Sequence, residues 1–222
     1  MVSIGRLYGA PKNSRVNKSL VTAKLSGVEI DFDPNFQFGV DNKKPEYLAK
    51  FPLGQTPAFE GKDGLILTES AAIPLHIASQ KENNPLLGKD ANERSKVYQY
   101  LFFGETSVFS AFLPILLPHL GFAPYDEQTE AKHYEKLDRP LSYLNNELKG
   151  KDYLVGNHLT LADVNLYFCL ETLYSRFFSN TDRSKYQNLT KYIDNIANLP
   201  EIKEVTGGIS YSETRPKYTP KA

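Results

Sequence analysis

Two short stretches carry residue types in a pattern that could do chemistry. The first is 50-KFPLGQTPAFE-60, in which Thr56 and Pro57 stand just before a run that reads as a strand. A proline cannot donate to a β ladder, so it belongs at a strand start or in a tight turn. In the cis form it would turn the Thr56 backbone outward, leaving its N–H and C=O to pair with an extended peptide; in the trans form it would simply open the strand. The second is 68-TESAAI-73, where Ser70 is predicted to cap a helix and Glu69 stands beside it. A helix start offers free N–H groups and partial positive charge, which suit a carboxylate. Glu69 could hold an ammonium. Each stretch also has a plainer reading, a trans proline and an ordinary cap.

The elements that must position these residues follow from the spacing of apolar positions. Residues 4–9 read as a short strand, and Ser14 to Ser26 as a helix with Val16, Leu20 and Ala23 at helical spacing and Gly27 as its stop. In 28-VEIDFD-33 the alternation is strict, a half-buried strand. Residues 34–50 are polar and irregular. Two apolar runs, 57–60 and 65–68, flank a turn at 61-GKDG-64 and predict an antiparallel hairpin, followed by a helix from Ser70 through Ile73 and Ile77. The order β-α-β, crossover, β-β-α is thioredoxin-like and occupies residues 1–80. Residues 81–90 read as a linker, and 91–206 as an all-α bundle domain with helices over 91–113, 127–149, 161–177 and 184–198. Leu137, Leu141, Leu144 and Leu148 form one stripe, in which Pro140 is expected to kink or interrupt the helix. Residues 207–222 read as a docked coil that loses order toward its end.

Composition narrows the function classes. A formal net charge of zero favours neither nucleic acid nor an anionic membrane. The single Cys169 excludes an internal disulfide framework and a four-cysteine metal site, and its setting in LYFCL is that of an inert buried thiol. His76, His119, His133 and His158 show no metal-ligand spacing and read as structural or exposed. The opening MVSIGRLYGAPKNSR lacks the apolar run of a signal peptide. The longest apolar segment, 107–123, is expected to be broken by Pro114 and Pro118, short of the roughly 20 residues of a membrane span. A cytoplasmic protein with no membrane and no direct nucleic-acid partner is expected.

A proline at a strand start, a hairpin, and then Glu69-Ser70 opening a helix resembles the glutathione-binding half of the cytosolic glutathione transferase family, and the resemblance covers nearly the whole chain. Its second half is matched by 157-NHLTLADVNLY-167, similar to the family's capping segment: Thr160 as N-cap, Asp163 three residues on, and a Leu159–Val164 staple, a structural element in which Asp163 is expected to be buried. More narrowly, YLAKFPLGQTPAFEGKDG, GFAPYDEQ and KDYLVGNHLTLADV resemble the glutathione-transferase-like N-terminal domain of the elongation factor 1 gamma subunit. In that family a Lys/Pro-rich linker and a separate domain follow, where this sequence reads 216-PKYTPKA-222; a stand-alone protein and a domain of a longer one both remain open.

The resemblance implies glutathione as substrate, no other cofactor and no metal. It implies that Gln55, Thr56, Pro57, Glu69 and Ser70 bind glutathione, its γ-glutamyl end on Glu69 and Ser70 and its glycyl carboxylate on Gln55, with Lys50 a weaker candidate on the surface. It also implies a thiol-holding residue near the first helix start, in 8-YGAPKNSRV-16. Tyr8, Asn13, Ser14 and Arg15 are all open. Lowering the thiol pKa by two units takes roughly 2.7 kcal/mol, and a guanidinium brings permanent charge where a hydroxyl brings one hydrogen bond. Arg15 therefore ranks first and Ser14 second. Phe102, Phe103, Thr106 and Phe109, with Ser110, could wall a second-substrate site or serve core and dimer packing. The implied activity is conjugation of glutathione to small electrophiles by a homodimer. The alternative is a non-catalytic dimerisation and docking module among elongation factor 1 subunits.

Overall fold

Strand β1 (Gly5–Tyr8) buries Gly5 and Leu7 and turns Arg6 outward. The computed structural model describes residues 2–220. Helix α1 (Ser14–Ser26) starts at Asn13, whose Oδ1 accepts from the N–H groups of Arg15 and Val16 at 2.9 and 3.3 Å. It stops at Gly27, which takes the left-handed φ of 65° that glycine adopts without penalty. Strand β2 (Asp31–Phe32) is shorter than the alternation predicts. Val28, Ile30 and Phe32 do face inward, but only Asp31 and Phe32 find a place opposite β1. Strands β3 (Ala58–Gly61) and β4 (Ile66–Leu67) form the expected hairpin. The sheet order is β2-β1-β3-β4, with β1 and β2 parallel and the other pairs antiparallel. The crossover is not wholly irregular: a 3-10 turn at Asp41–Lys43 leads into the short α2 (Pro45–Leu48), with Pro45 at the first helical position where its missing N–H costs nothing. Helix α3 (Ala72–Ser79) starts two residues later than predicted. It closes a core of Leu7, Val16, Phe59, Ile73 and Ile77.

The segment 81–90 is docked rather than loose: Leu86 is buried, and Asn84 Nδ2 donates to Ser26 Oγ at 3.0 Å and to the Ala78 carbonyl at 2.9 Å. Helix α4 (Ala91–Phe103) passes through a π-helical turn (Gly104–Phe109) into α5 (Ser110–Leu120), so the helical run continues through Pro114 and Pro118. Burial of Phe112, Ile115 and Pro118 compensates for the two lost N–H donors. Contrary to the sequence expectation, this run is long and apolar enough to cross a membrane by length and composition, with a mean hydropathy of 1.5 over its best window. One face of it, Val97, Leu101, Val108, Phe112 and Ile115, joins the core of the helical domain, and a third of that window is buried.

Helix α6 (Glu127–Glu147) runs uninterrupted past Pro140, with Leu137, Leu141 and Leu144 buried. Helix α7 (Leu161–Thr172) crosses the centre of the domain and packs along α1, then ends in a second π-helical turn, Leu173–Phe177. The helix predicted over 184–198 divides at Tyr186 into α8 (Asn180–Lys185) and α9 (Gln187–Ala197); α10 (Pro200–Thr206) follows. The tail is docked: Ser212 N–H bonds the Ser175 carbonyl at 3.0 Å, Arg215 pairs with Asp182, and the Tyr218 ring stacks on Tyr125 with centroids 4.0 Å apart. The expected loss of order would fall on Lys221 and Ala222, outside the described residues.

Candidate active site

The two candidate stretches meet at the end of β1. Gly9 has a φ of 154°, and a Cβ there would run into the Val16 side chain and sit 3.5 Å from Thr56 Cβ and 3.8 Å from Pro57 Cα. The absent side chain lets the chain reverse into α1 directly against Thr56 and Pro57. The Thr56–Pro57 bond is cis and Pro57 is buried. Among the described residues no backbone hydrogen bond engages Thr56, so its N–H and C=O are open to an extended peptide. Gln55 is exposed, its carbonyl held by the Tyr47 hydroxyl at 2.6 Å.

Of the four thiol candidates, Tyr8 is committed elsewhere. Its ring packs between Tyr47 and Phe51, and its hydroxyl donates to Glu60 Oε2 at 2.7 Å. Partial burial and the Glu60 carboxylate push that hydroxyl's pKa up. Lys50 reaches both oxygens of Glu60 at 2.7 Å, the surface role expected of it. Asn13 is spent as the α1 cap. Ser14 Oγ donates its one proton to Glu171 Oε2 at 2.7 Å and lies 3.0 Å from Thr172 Oγ1. Arg15 places its guanidinium 4.0 Å above the Phe109 ring and 3.3 Å from Glu105 Oε2. Its Nε is buried and has no partner among the described residues.

Ser70 is not the helix cap the sequence predicts. The α3 N-cap position is Ala71, with no side-chain bond. Ser70 is buried and donates instead to Glu105 Oε1 at 3.1 Å, across the boundary between the domains. Glu69 is exposed with a φ of 73°, and its carbonyl accepts from Ala72 and Ile73 at 3.1 and 3.2 Å.

Glu105 is the centre of a network that sequence reasoning missed. Lys18, only 1% exposed, donates to Glu105 Oε1 and to Asn165 Oδ1, both at 2.6 Å, and reaches Ser70 Oγ at 3.4 Å. Burial alone would push the Glu105 carboxyl up, but Lys18, Arg15 and the Ser70 hydroxyl outweigh it and hold the carboxyl below its ordinary range. The π-helical turn aims Glu105 inward, and Gly104 makes the approach possible, since a Cβ there would sit 2.6 Å from Asn165 Nδ2. Two weak signals were present in the sequence: Lys18 lies three and four residues beyond Arg15 and Ser14, on one helix face, and Gly104-Glu105 interrupts an aromatic run. Cys169 lies 3.7 Å from Glu105 Oε1, and burial pushes its thiol up to about 12, the inert state expected.

Beside the α1 start a cleft of about 380 Å³ opens between the two domains. Of the expected wall, Phe109 alone lines it. Phe103 packs on Tyr143 with centroids 5.2 Å apart. Phe102, 67% exposed, and Thr106 lie one helical turn apart on the outer face, with the Thr106 hydroxyl turned back to the Phe102 carbonyl at 2.9 Å. Ser110 is exposed as well. His119, expected to be structural or exposed, lines the cleft while bonding Glu130 at 2.8 Å. At the start of α7, Asp163 is fully buried and accepts from the N–H groups of Leu154 and Thr160, the Thr160 hydroxyl and the Tyr192 hydroxyl at 2.8 to 2.9 Å. That is the expected capping role for Thr160 and Asp163.

The chain is similar to known proteins over most of its length. A family model described as glutathione S-transferase, N-terminal domain, matches residues 3–79, and one described as glutathione S-transferase, C-terminal domain, matches 103–200. The glutathione S-transferase-like protein LUC7 of Fusarium sp is 38% identical over 93% of this chain and 94% of its own. Elongation factor 1-gamma of Artemia salina is 33% identical over 98% of this chain but only 50% of its own, so the chain spans about half of that relative. Among solved structures, the GST-like domain of elongation factor 1-gamma from Saccharomyces cerevisiae superposes with a TM-score of 0.81 at 18% identity, covering all of both chains.

Proposed function

The chain belongs to the glutathione S-transferase family, and from that premise we propose that it binds glutathione and conjugates it through its thiolate to small electrophiles. The observation that carries the proposal is the charge at the α1 start. Two cations share one carboxylate: Lys18 meets Glu105 at 2.6 Å in the interior, and Arg15, 37% exposed and 3.3 Å from the same carboxylate, faces the cleft with charge to spare. A thiolate is the anion this proposal sets there, with Arg15 first and Ser14 second in holding it. The peptide of glutathione would run along Thr56 beside Pro57, with the glycyl carboxylate toward Gln55. Its γ-glutamyl ammonium would lie at Glu69 and the carboxylate at the Ser70 end of α3. In the transfer, sulfur bonds to the electrophilic carbon, the leaving group departs with its electron pair, and the thiol proton passes to solvent. No other cofactor takes part. The proposal places the chain in the cytoplasm as a homodimer.

A second function, a non-catalytic docking module of an elongation factor 1 complex, is favoured by two observations. The hydroxyls a transferase would use are already committed, Ser14 to Glu171 and Ser70 to Glu105. Large apolar side chains also stand in the open: Leu53 at 73%, Phe122 at 63% and Phe38 at 50% exposure, the last two in edge contact. Passage over immobilised glutathione, followed by an assay with a chlorodinitrobenzene, separates the two. Retention with turnover supports the transferase; a protein that is neither retained nor active leaves the docking module.

A further inference from the structure

The cleft carries a charge imbalance that the glutathione sulfur does not use. Three cations line it, Lys12, Arg15 and Arg176, against one carboxylate, Glu171. Arg15 is held by Glu105 and by the Phe109 face, and Glu171 accepts the hydroxyls of Ser14 and Thr172 at 2.7 and 3.1 Å. Lys12 and Arg176 differ from both. Among the described residues neither side chain makes an ion pair, hydrogen bond or ring contact. Lys12 is also fixed at the rim by its backbone, with a φ of 63° in the turn that precedes the Asn13 cap. A lysine gains nothing locally from that conformation, and backbone strain of this kind gathers at ligand sites. The same cleft is lined by the apolar side chains of Phe109, Leu116 and Phe177.

We propose that the second ligand of this cleft is an amphipathic carboxylate, its ring or chain against Phe109, Leu116 and Phe177 and its carboxylate on Arg176 and Lys12. A neutral apolar ligand would use only the wall. An anionic one also engages two cations that no protein carboxylate satisfies. The cleft volume of about 380 Å³ suits a small ligand of one ring and a short chain. The inference rests on the transferase proposal only in making this ligand the electrophile; its binding requires no turnover.

The test is calorimetry on the whole chain without glutathione, comparing 4-phenylbutanoate with 4-phenylbutanamide. The acid should bind about tenfold more tightly than the amide. That preference should shrink in high salt, and Arg176→Gln with Lys12→Gln should abolish it while leaving amide affinity unchanged. Both positions are exposed, so the variants keep the fold. Phe109→Ala should weaken both ligands alike. Equal affinities, or a preference that survives the double substitution, would overturn the proposal. A protein that prefers the acid but does not conjugate glutathione keeps this site and loses the transferase function. One that conjugates neutral electrophiles with no acid preference does the reverse.

Discussion

Two carboxylates in this molecule, Asp163 fully buried and Glu105 partly so, do opposite kinds of work. Asp163 takes all its donors from nearby chain: Thr160 three residues before it, Leu154 nine before, and Tyr192 twenty-nine after. No cation is among them. Glu105 takes its partners from the other domain: Lys18, Arg15 and Ser70, at separations of 87, 90 and 35 residues. The first arrangement closes one helix. The second ties two domains together at the point where α1 opens on the cleft, and it leaves a cation facing outward. A carboxylate fed by local N–H groups is a folding device; one fed by long-range cations fixes the charge at a site.

The comparison is tested most severely at Asp163. Asp163→Ala leaves two backbone N–H groups and two hydroxyls without an acceptor in a fully buried place. A loss of about 4 kcal/mol in urea unfolding is expected. Lys18→Met should cost somewhat less, about 3 kcal/mol, because it takes from Glu105 its most deeply buried cation and leaves only Arg15 and the Ser70 hydroxyl to hold the charge. Lys18→Met with Glu105→Leu should recover most of that loss, since a pair replaced by apolar groups is often neutral. If the double variant is no more stable than the single, Glu105 and Lys18 do not act as a pair and the contrast with Asp163 collapses.

The two carboxylates also predict opposite pH signatures. The Glu105 pKa is lowered on folding, against an ordinary 4.5. Its contribution is therefore present above that ordinary value and is lost as pH falls through the lower folded value. For Asp163, burial dominates the four donors and raises the pKa above an ordinary 3.8. Its contribution is full below 3.8 and is lost as pH rises through the higher folded value. Glu105→Gln should thus flatten the acid limb of the stability profile, and Asp163→Asn the limb above it. Difference profiles of variant against parent that slope the same way would sink the assignment.

The same contrast explains what the sequence made legible. Thr160 and Asp163 are three residues apart, so the capping segment could be read from spacing alone, as could the α1 stop at Gly27 and the hairpin about 61-GKDG-64. Glu105 could not be read in this way. Its partners come from α1 and the approach to α3, and a π-helical turn sets its direction, which no regular period records. Ser70 was misread for the same reason: next to a helix start it resembles a cap, and only the packed domains show that its hydroxyl serves Glu105. For Phe102, Thr106 and Phe109 the sequence left a second-substrate wall and core or dimer packing both open; Phe102 at the end of α4 and Thr106 in the turn face outward, and Phe109 lines the cleft.

Catalysis should divide along the same line. Arg15→Ala removes the outward charge but leaves Lys18 and Glu105 paired, so stability should change little. The thiol of bound glutathione, followed by thiolate absorbance, should rise by about two pKa units, and turnover at neutral pH should fall about a hundredfold. An unchanged titration would remove Arg15 from the thiol.

The smallest expected effect is a gain. Ser14 cannot donate to a thiolate while its proton lies on Glu171, and Glu171 itself is a negative charge beside the place where sulfur must ionise. Glu171→Gln keeps the shape, removes the charge and weakens the hold on the Ser14 hydroxyl. The thiol pKa of bound glutathione should drop by a few tenths of a unit and conjugation should rise about two- to threefold. Ser14→Ala in the same background should cancel the part of the gain that depends on the hydroxyl. A Glu171→Gln protein that loses activity would show instead that the carboxylate helps to position Ser14 for the sulfur.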